Sequence, residues 1–176
     1  MRFVRSLSLA ALAACASASP STLSRTADVA VVGTTGLRIR QSDGAKVNTV
    51  PFPLARVWSV LPSVFDSLAI PLTDLDQAKR TLGNAGMKAH KTLGKVALST
   101  YIDCGNTQGF PSADSYDIHL TVTTQVVAAQ NGGTTIGTLL EAAGKPMAFP
   151  GAFTKCTTKE KLEDQIIAIV TAKLSR

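Results

Sequence analysis

The chain is poor in the side chains that most enzymes use for acid–base and metal chemistry. Among its 176 residues are only two histidines, three cysteines and one tryptophan. Neither Gly-Lys pair, at residues 94–95 and 144–145, is followed by the serine or threonine of a phosphate-binding loop. No G-x-S-x-G segment, which carries the nucleophile of many hydrolases, is present. These absences predict a protein without catalytic residues, metal ligands or a cofactor, and therefore one that is not an enzyme.

The two histidines are predicted to be surface residues rather than catalytic bases. His119 falls on the polar side of a predicted strand, and His90 falls in a predicted basic loop beside Lys88 and Lys91. An isolated histidine in either setting is more often solvated than catalytic.

Long apolar runs are also missing. The N-terminal run over residues 7–14 is about half the length of roughly 20 residues that a membrane-spanning helix needs. Arg2 and Arg5 precede this run and small residues follow it, which is the layout of a secretory signal. We therefore expect an exported protein.

Cys15 ends this run, and the segment Leu12-Ala13-Ala14-Cys15 resembles a bacterial lipobox. The resemblance implies a signal peptide over residues 1–14, cleaved before Cys15, and a lipid anchor on that cysteine with more than one acyl chain. Ala16 stands where an aspartate would imply retention in the inner membrane, so the resemblance favours the outer membrane, facing the periplasm. The alternative is an ordinary signal peptide cleaved after Ala18, because residues 16–18 fit the A-x-A pattern.

Lipidation of Cys15 would leave two cysteines, Cys104 and Cys156. Thiols pair in an oxidising compartment, so we expect a disulfide that closes a loop of about 50 residues. The alternative is a metal or redox site. It is disfavoured because no C-x-x-C pair and no histidine beside either cysteine supplies further ligands.

Positive charge is in mild excess. Loss of the two signal arginines would lower the net charge from +6 to +4, so we expect no nucleic-acid partner. One group of basic residues is a candidate patch for anionic lipid head groups or cell-wall polymers, with a solvated rim as the alternative. Its members are Lys79, Arg80, Lys88, Lys91 and Lys95.

The remaining chain divides into a tether and one domain. Residues 15–36 are rich in Ser, Thr, Ala and Gly, which predicts a flexible tether. Residues 37–176 are predicted to form a single domain with a mainly aliphatic core, because aromatic residues make up only 5% of the chain. An Asp-Gly turn predicts a hairpin of strands over residues 37–41 and 46–51.

Alternation of apolar and polar residues predicts a long strand over residues 115–128, with one buried and one solvated face. After a turn, residues 134–143 are predicted to pair back with it as a second long strand. A weaker, glycine-containing strand is predicted from Thr81, after a loop over residues 70–80. A short helix is predicted just before Cys104.

Apolar residues at helical spacing predict two main helices. The first, with a kink at Pro62, has a stripe of Leu54, Trp58, Leu61, Phe65 and Leu68. The last is expected to begin at a capping box of Thr157 and Glu160. Its stripe consists of Leu162, Ile166, Ile169, Val170 and Leu174.

This order of elements predicts an α+β domain, in which an antiparallel sheet packs two main helices on one face. The layout resembles the helix-grip class, whose curved sheet wraps a long C-terminal helix. Beyond the lipobox, V-W-x-x-L at 57–61, Y-I-D-C-G at 101–105 and K-L-E-x-x-I at 161–166 resemble uncharacterised bacterial lipoproteins. Their domains look like the helix-grip modules of the C lipoprotein of the outer-membrane β-barrel assembly machinery. The resemblance covers most of the chain after Gly36 and implies an accessory protein without catalytic residues.

Three functions follow from these expectations. The first is an envelope-anchored accessory or scaffold lipoprotein that binds another envelope protein. The second is a carrier of an apolar ligand in a cavity between the sheet and the C-terminal helix. The third, a hydrolase, is disfavoured by the missing motifs. A large exposed apolar patch would favour the first, and a deep apolar cavity under the last helix would favour the second.

Overall fold

The structure is a computed structural model and describes residues 45–130, 132–147 and 150–176. The predicted signal peptide, the lipidated Cys15, the tether over residues 15–36 and the first hairpin strand over residues 37–41 lie outside these ranges.

The described residues form two α-helices and a large antiparallel sheet with several short strands. The helices are α1 (Leu54–Ser67) and α2 (Lys161–Leu174). The strands are β1 (Lys46–Val50), β2 (Asp74–Asp76), β3 (Thr81–His90), β4 (Thr92–Leu93), β5 (Val96–Ala97), β6 (Ile102–Asp103), β7 (Asn106–Thr107), β8 (Phe110–Pro111), β9 (Tyr116–Ala128), β10 (Thr134–Pro146) and β11 (Thr154–Thr158).

The two longest strands, β9 and β10, form the centre of the sheet and pair along their full length. Strand β3 pairs with the other edge of β9. The far edge of β10 is shared, because β1 pairs with its first part and β11 with its later part. All of these pairings are antiparallel, as predicted for the strands over residues 115–128 and 134–143.

Both helices cover the same face of this sheet. Helix α1 packs on β9, α2 packs on β10 and β1, and the helices pack against each other. We call the covered face the inner face and the opposite one the outer face. The prediction of an α+β domain with an antiparallel sheet, two helices on one face and one disulfide is confirmed.

Aliphatic side chains fill the space between the helices and the inner face. Leu162, Ile166 and Val170 of α2 are fully buried there, as the stripe of the last helix predicted. In α1, Leu61 is fully buried, but Trp58 is only partly buried.

A kink or a locally loosened turn is predicted at Pro62, and helix α1 continues through this residue from Leu54 to Ser67. Pro62 is exposed, so its ring points away from the packed side of the helix. The partial exposure of Trp58 follows from its position at the edge of the packed stripe. At this edge, the guanidinium of Arg80 lies 5.6 Å from the centre of the Trp58 ring.

Two local predictions are wrong because strand pairing overrides local sequence pattern. The loop expected over residues 70–80 contains β2, which pairs with the start of β3. The short helix expected before Cys104 is instead β5, a single 3-10 turn over Leu98–Thr100, and β6. Since β11 offers backbone hydrogen bonds to residues 102–103, that segment becomes a strand.

The predicted capping box is also wrong. Thr157 belongs to β11, which stays extended through Thr158 because it pairs with β6. Glu160 adopts a left-handed conformation, with φ of 58°, before the helix begins. The hydroxyl of Thr158 accepts the Glu160 backbone N–H at 3.0 Å and donates to Oε1 of Glu163 at 2.9 Å. Thr158 therefore orders the residue before α2 and contacts the first turn through Glu163, but the N-cap residue Glu160 makes no side-chain cap hydrogen bond.

The disulfide between Cys104 and Cys156 is present, as predicted. It joins the residue that follows β6 to the middle of β11. Cys156 is 4% exposed, so the bond lies at the edge of the core and fixes the segment that leads into α2.

Candidate functional site

The outer face of the sheet carries a cleft of about 520 Å³ at the end where β9 begins. Strands β3, β9 and β10 supply its floor, and the segment before β11 supplies one wall. Its lining residues are Lys88, Ala89, His90, Asp117, Ile118, His119, Lys145 and Phe153.

The strand register places the polar lining residues in two rows. Lys145, Asp117 and His90 lie opposite one another across β10, β9 and β3. In the next row on the same face, His119 lies between Ala143 and Lys88. Alternate residues of a strand point to the same side. Both rows therefore project from the outer face, while Ile118 between them points into the core.

An aromatic side chain forms the wall of the cleft. The ring of Phe153 lies 4.3 Å from that of His119, tilted by 41°. The Lys145 ammonium lies 5.2 Å from the centre of the Phe153 ring, within range of a cation–π contact. Phe153 is nevertheless 41% exposed, so part of the ring remains accessible to a ligand.

The cleft is positively charged. Asp117 is the one carboxylate among its lining residues, against the two ammonium groups of Lys88 and Lys145. Within the described ranges, neither lysine forms an ion pair, whereas Lys46 pairs with Glu160 and Asp164. The two free lysines can therefore attract an anionic partner without first breaking an internal ion pair.

Such an arrangement can bind a ligand through its two ammonium groups and its aromatic ring. His90 lies opposite Asp117 in the sheet, yet these two side chains form no ion pair. Instead, Nδ1 of His90 lies 3.4 Å from the backbone oxygen of Tyr116. In the described part of the chain, no three side chains of histidine, cysteine, aspartate or glutamate are grouped to hold a metal ion.

The chain matches no protein-family model and no curated protein sequence. The resemblance to helix-grip lipoproteins therefore remains a prediction from the motifs. Within the residues that the structure describes, no helix is long and apolar enough to cross a membrane.

The basic residues singled out in the sequence do not form one surface. Lys79 and Arg80 lie at the start of β3, where Lys79 pairs with Asp76 at 3.4 Å. Lys88 lies near the other end of this strand, about 25 Å away at the usual rise per residue. The exposed Lys91 and Lys95 follow β3 at that same end.

The structure brings together residues that sequence patterns kept apart. His90 is the last residue of β3 rather than part of a loop, so pairing with β9 places it on the same face as His119. Both histidines are exposed, as predicted. Lys145 and Phe153 were missed. Extending the second long strand by two residues beyond Ala143 would have placed Lys145 opposite Asp117, on the same face as His119.

The remainder of the polar side of β9 differs from the prediction. Thr123 and Gln125, expected to be solvated, are 3% and 9% exposed. Thr123 lies between Gly83 and Leu139 in the sheet, and the Gln125 amide donates to the backbone oxygen of Lys79 at 3.4 Å. The solvated residues of this side are thus at the two ends of β9, at the cleft and at the exposed Val127.

One buried carboxyl lies away from the cleft. Glu163 of α2 is 1% exposed, and one of its oxygens has no hydrogen-bond partner. Burial raises the pKa of its side chain above the ordinary value for glutamate, against a smaller opposing effect of the Thr158 hydroxyl. The Glu163 carboxyl therefore affects the stability of the fold and takes no part in the cleft.

Proposed function

We propose that this protein is an envelope-anchored lipoprotein that acts as a non-enzymatic accessory, binding another envelope protein through the outer-face cleft. The observation that carries the proposal is the open cleft, which presents an accessible aromatic ring and two lysines without ion pairs among the described residues. Aromatic residues are enriched at protein interfaces. Lysines without internal ion pairs can attract a partner of opposite charge. Met147, two residues after Lys145, is 53% exposed.

The cysteine pattern supports the anchor. The chain has three cysteines, and the disulfide uses Cys104 and Cys156, which leaves Cys15. Disulfides persist mainly in oxidising compartments, which fits an exported protein. A lipid on Cys15 would hold the domain at the outer membrane, facing the periplasm, on the tether of residues 15–36.

An apolar-ligand carrier is the alternative. A ligand between the sheet and α2 would have to displace Leu162, Ile166 and Val170, each of which is fully buried against the inner face. The cleft, by contrast, lies on the outer face and is lined by charged residues. These two observations favour the binding module over the carrier.

The anchor is tested by mass spectrometry of the native N-terminus together with membrane fractionation. We expect a chain that begins at Cys15, with a diacylglycerol on its sulfur and an acyl chain on its amino group, and we expect the Cys15→Ser variant to leave the membrane fraction. An unmodified chain beginning at Ser19 would contradict the anchor.

The binding surface is tested by placing a photo-crosslinking amino acid at position 153 in cells. The matched control carries it at Lys173, an exposed residue at the end of α2. We expect a discrete crosslinked envelope protein from position 153 and none from position 173. The same products from both positions, or none from position 153, would contradict binding through the cleft.

A further inference from the structure

We infer that the cleft binds an extended acidic segment of the partner, in which two carboxylates lie about four residues apart and flank an apolar side chain. The inference rests on the proposed function, because it names the chemistry of the partner at the same site. Its support is the charge, spacing and ring geometry of the cleft.

Charge complementarity determines the sign of the charge on the partner segment. Lys88 and Lys145 face the cleft without internal ion pairs in the described structure, and Asp117 offsets only one of them. An approaching carboxylate therefore gains an ion pair with each lysine, while a basic segment would meet two like charges.

The positions of Lys88 and Lys145 determine the distance between the two carboxylates of the partner segment. Lys145 lies on β10 and Lys88 on β3, two strand spacings apart, and their rows differ by two residues along the strands. With ordinary sheet dimensions, the two Cα atoms are about 12 Å apart. An extended segment places side chains on one face at alternate positions, so carboxylates four residues apart are about 13 Å apart.

This spacing argues against a single phosphoryl group as the ligand. Its oxygens lie within a few ångströms of one another, so both lysines would have to lean inward over the intervening strand β9. Asp117 lies on that strand, opposite Lys145, and would repel the same anion. Two separated carboxylates can each form an ion pair with one lysine, and neither has to lie over Asp117.

The residues at the centre of the cleft determine which side chain the partner segment carries between its two carboxylates. His119 lies between the two lysine positions, and its ring is packed against Phe153. The exposed part of the Phe153 ring is suited to an apolar or aromatic side chain. An aspartate there would approach Asp117, so the central residue of the segment is expected to be uncharged.

The test measures binding of three synthetic peptides to the full chain, purified from membranes in detergent, by fluorescence anisotropy. The first peptide contains Asp-Ser-Phe-Ser-Asp. The second has the same composition with adjacent aspartates, Asp-Asp-Ser-Phe-Ser, and the third replaces both aspartates of the first with lysine. We expect the first peptide to bind at least about tenfold more tightly than the second, and the third not to bind.

Charge-reversing variants assign this binding to the cleft. We expect Lys88→Glu combined with Lys145→Glu to weaken the first peptide at least about tenfold and to gain binding of the lysine peptide. The matched control combines Lys161→Glu with Lys173→Glu, two exposed lysines of α2, and should change neither affinity by more than about twofold. If the reversed variant is unfolded by circular dichroism, Lys88→Gln with Lys145→Gln takes its place, and the same loss of the first peptide is expected.

Several results would overturn the inference. They are equal binding of the two acidic peptides, equal weakening by the α2 control, binding of pyrophosphate as tight as that of the first peptide, or no peptide binding. If peptides fail to bind but position 153 still crosslinks a partner in cells, the acidic chemistry is wrong and the proposed function stands. If the peptide binds but the chain is neither lipidated nor crosslinked, the proposed function is wrong and the cleft chemistry stands.

Discussion

Removing the disulfide should cost about as much stability as the chain-entropy relation gives for its loop. Cys104 and Cys156 are 52 residues apart, and closing a loop of that length in the unfolded chain corresponds to about 4 kcal/mol at 25 °C. The double variant Cys104→Ala with Cys156→Ala should therefore lose about 4 kcal/mol of unfolding free energy. That is a large part of the 5–15 kcal/mol usual for a domain.

The surrounding structure offers little to compensate for this loss. Strand β11 pairs with β6 only through residues 157–158 and with β10 only through residues 154–156. Without the covalent bond, this strand is held by a few backbone hydrogen bonds, and the start of α2 depends on it.

Urea unfolding followed by circular dichroism measures the effect. We expect a lower midpoint and a steeper dependence on urea, because the unfolded chain exposes more surface once the loop is opened. Reduction of the wild-type bond should reproduce the result, and Cys15→Ser should leave it unchanged. A loss below about 1 kcal/mol, with the same urea dependence, would refute the loop-closure reasoning.

Further predictions concern the sheet and the buried carboxyl. Gly83→Ala should destabilise by about 1–3 kcal/mol in urea unfolding, because the added Cβ would collide with the Val122 backbone oxygen. The control Gly86→Ala, on the same strand with open space around it, should cost far less, and equal losses would contradict the packing argument. Burial raises the pKa of Glu163, so its protonated form stabilises the fold below glutamate's ordinary pKa, and that contribution is lost as pH rises through the raised value. Glu163→Gln should therefore be more stable than wild type at pH 7 and should flatten the dependence of thermal stability on pH; lower stability at pH 7 would contradict this reasoning.

Elements with a long local pattern could be predicted from sequence. The stripe that includes Leu162, Ile166 and Val170 repeats over the whole of α2, and the alternation in residues 116–128 repeats over the whole of β9. In both cases the burial of one face follows from the spacing of the residues themselves. The pairing of Cys104 with Cys156 could be predicted because few alternatives remain once Cys15 is assigned elsewhere.

Short strands and the cleft could not be predicted, because they depend on contacts between distant segments. Strand β6 has two residues and exists through its hydrogen bonds to β11, more than fifty residues later. Likewise, His90 reaches Asp117 only through the pairing of β3 with β9, and a bulge between Asn84 and Met87 sets that register. A glycine within a strand, here Gly86, can mark such a bulge but does not fix the pairing register, so the neighbours of His90 could not be read from the sequence.

The covalent loop between Cys104 and Cys156 also has a mechanical consequence. When the chain is pulled at its two ends, tension along the backbone passes through the disulfide and bypasses the residues between the two cysteines. Strands β9 and β10 and Phe153 lie inside that loop, whereas Lys88 and His90 on β3 lie outside it. Force applied at the two ends would therefore act on β3 and leave the central hairpin of β9 and β10 without tension. The two sides of the cleft thus differ in whether they carry the load.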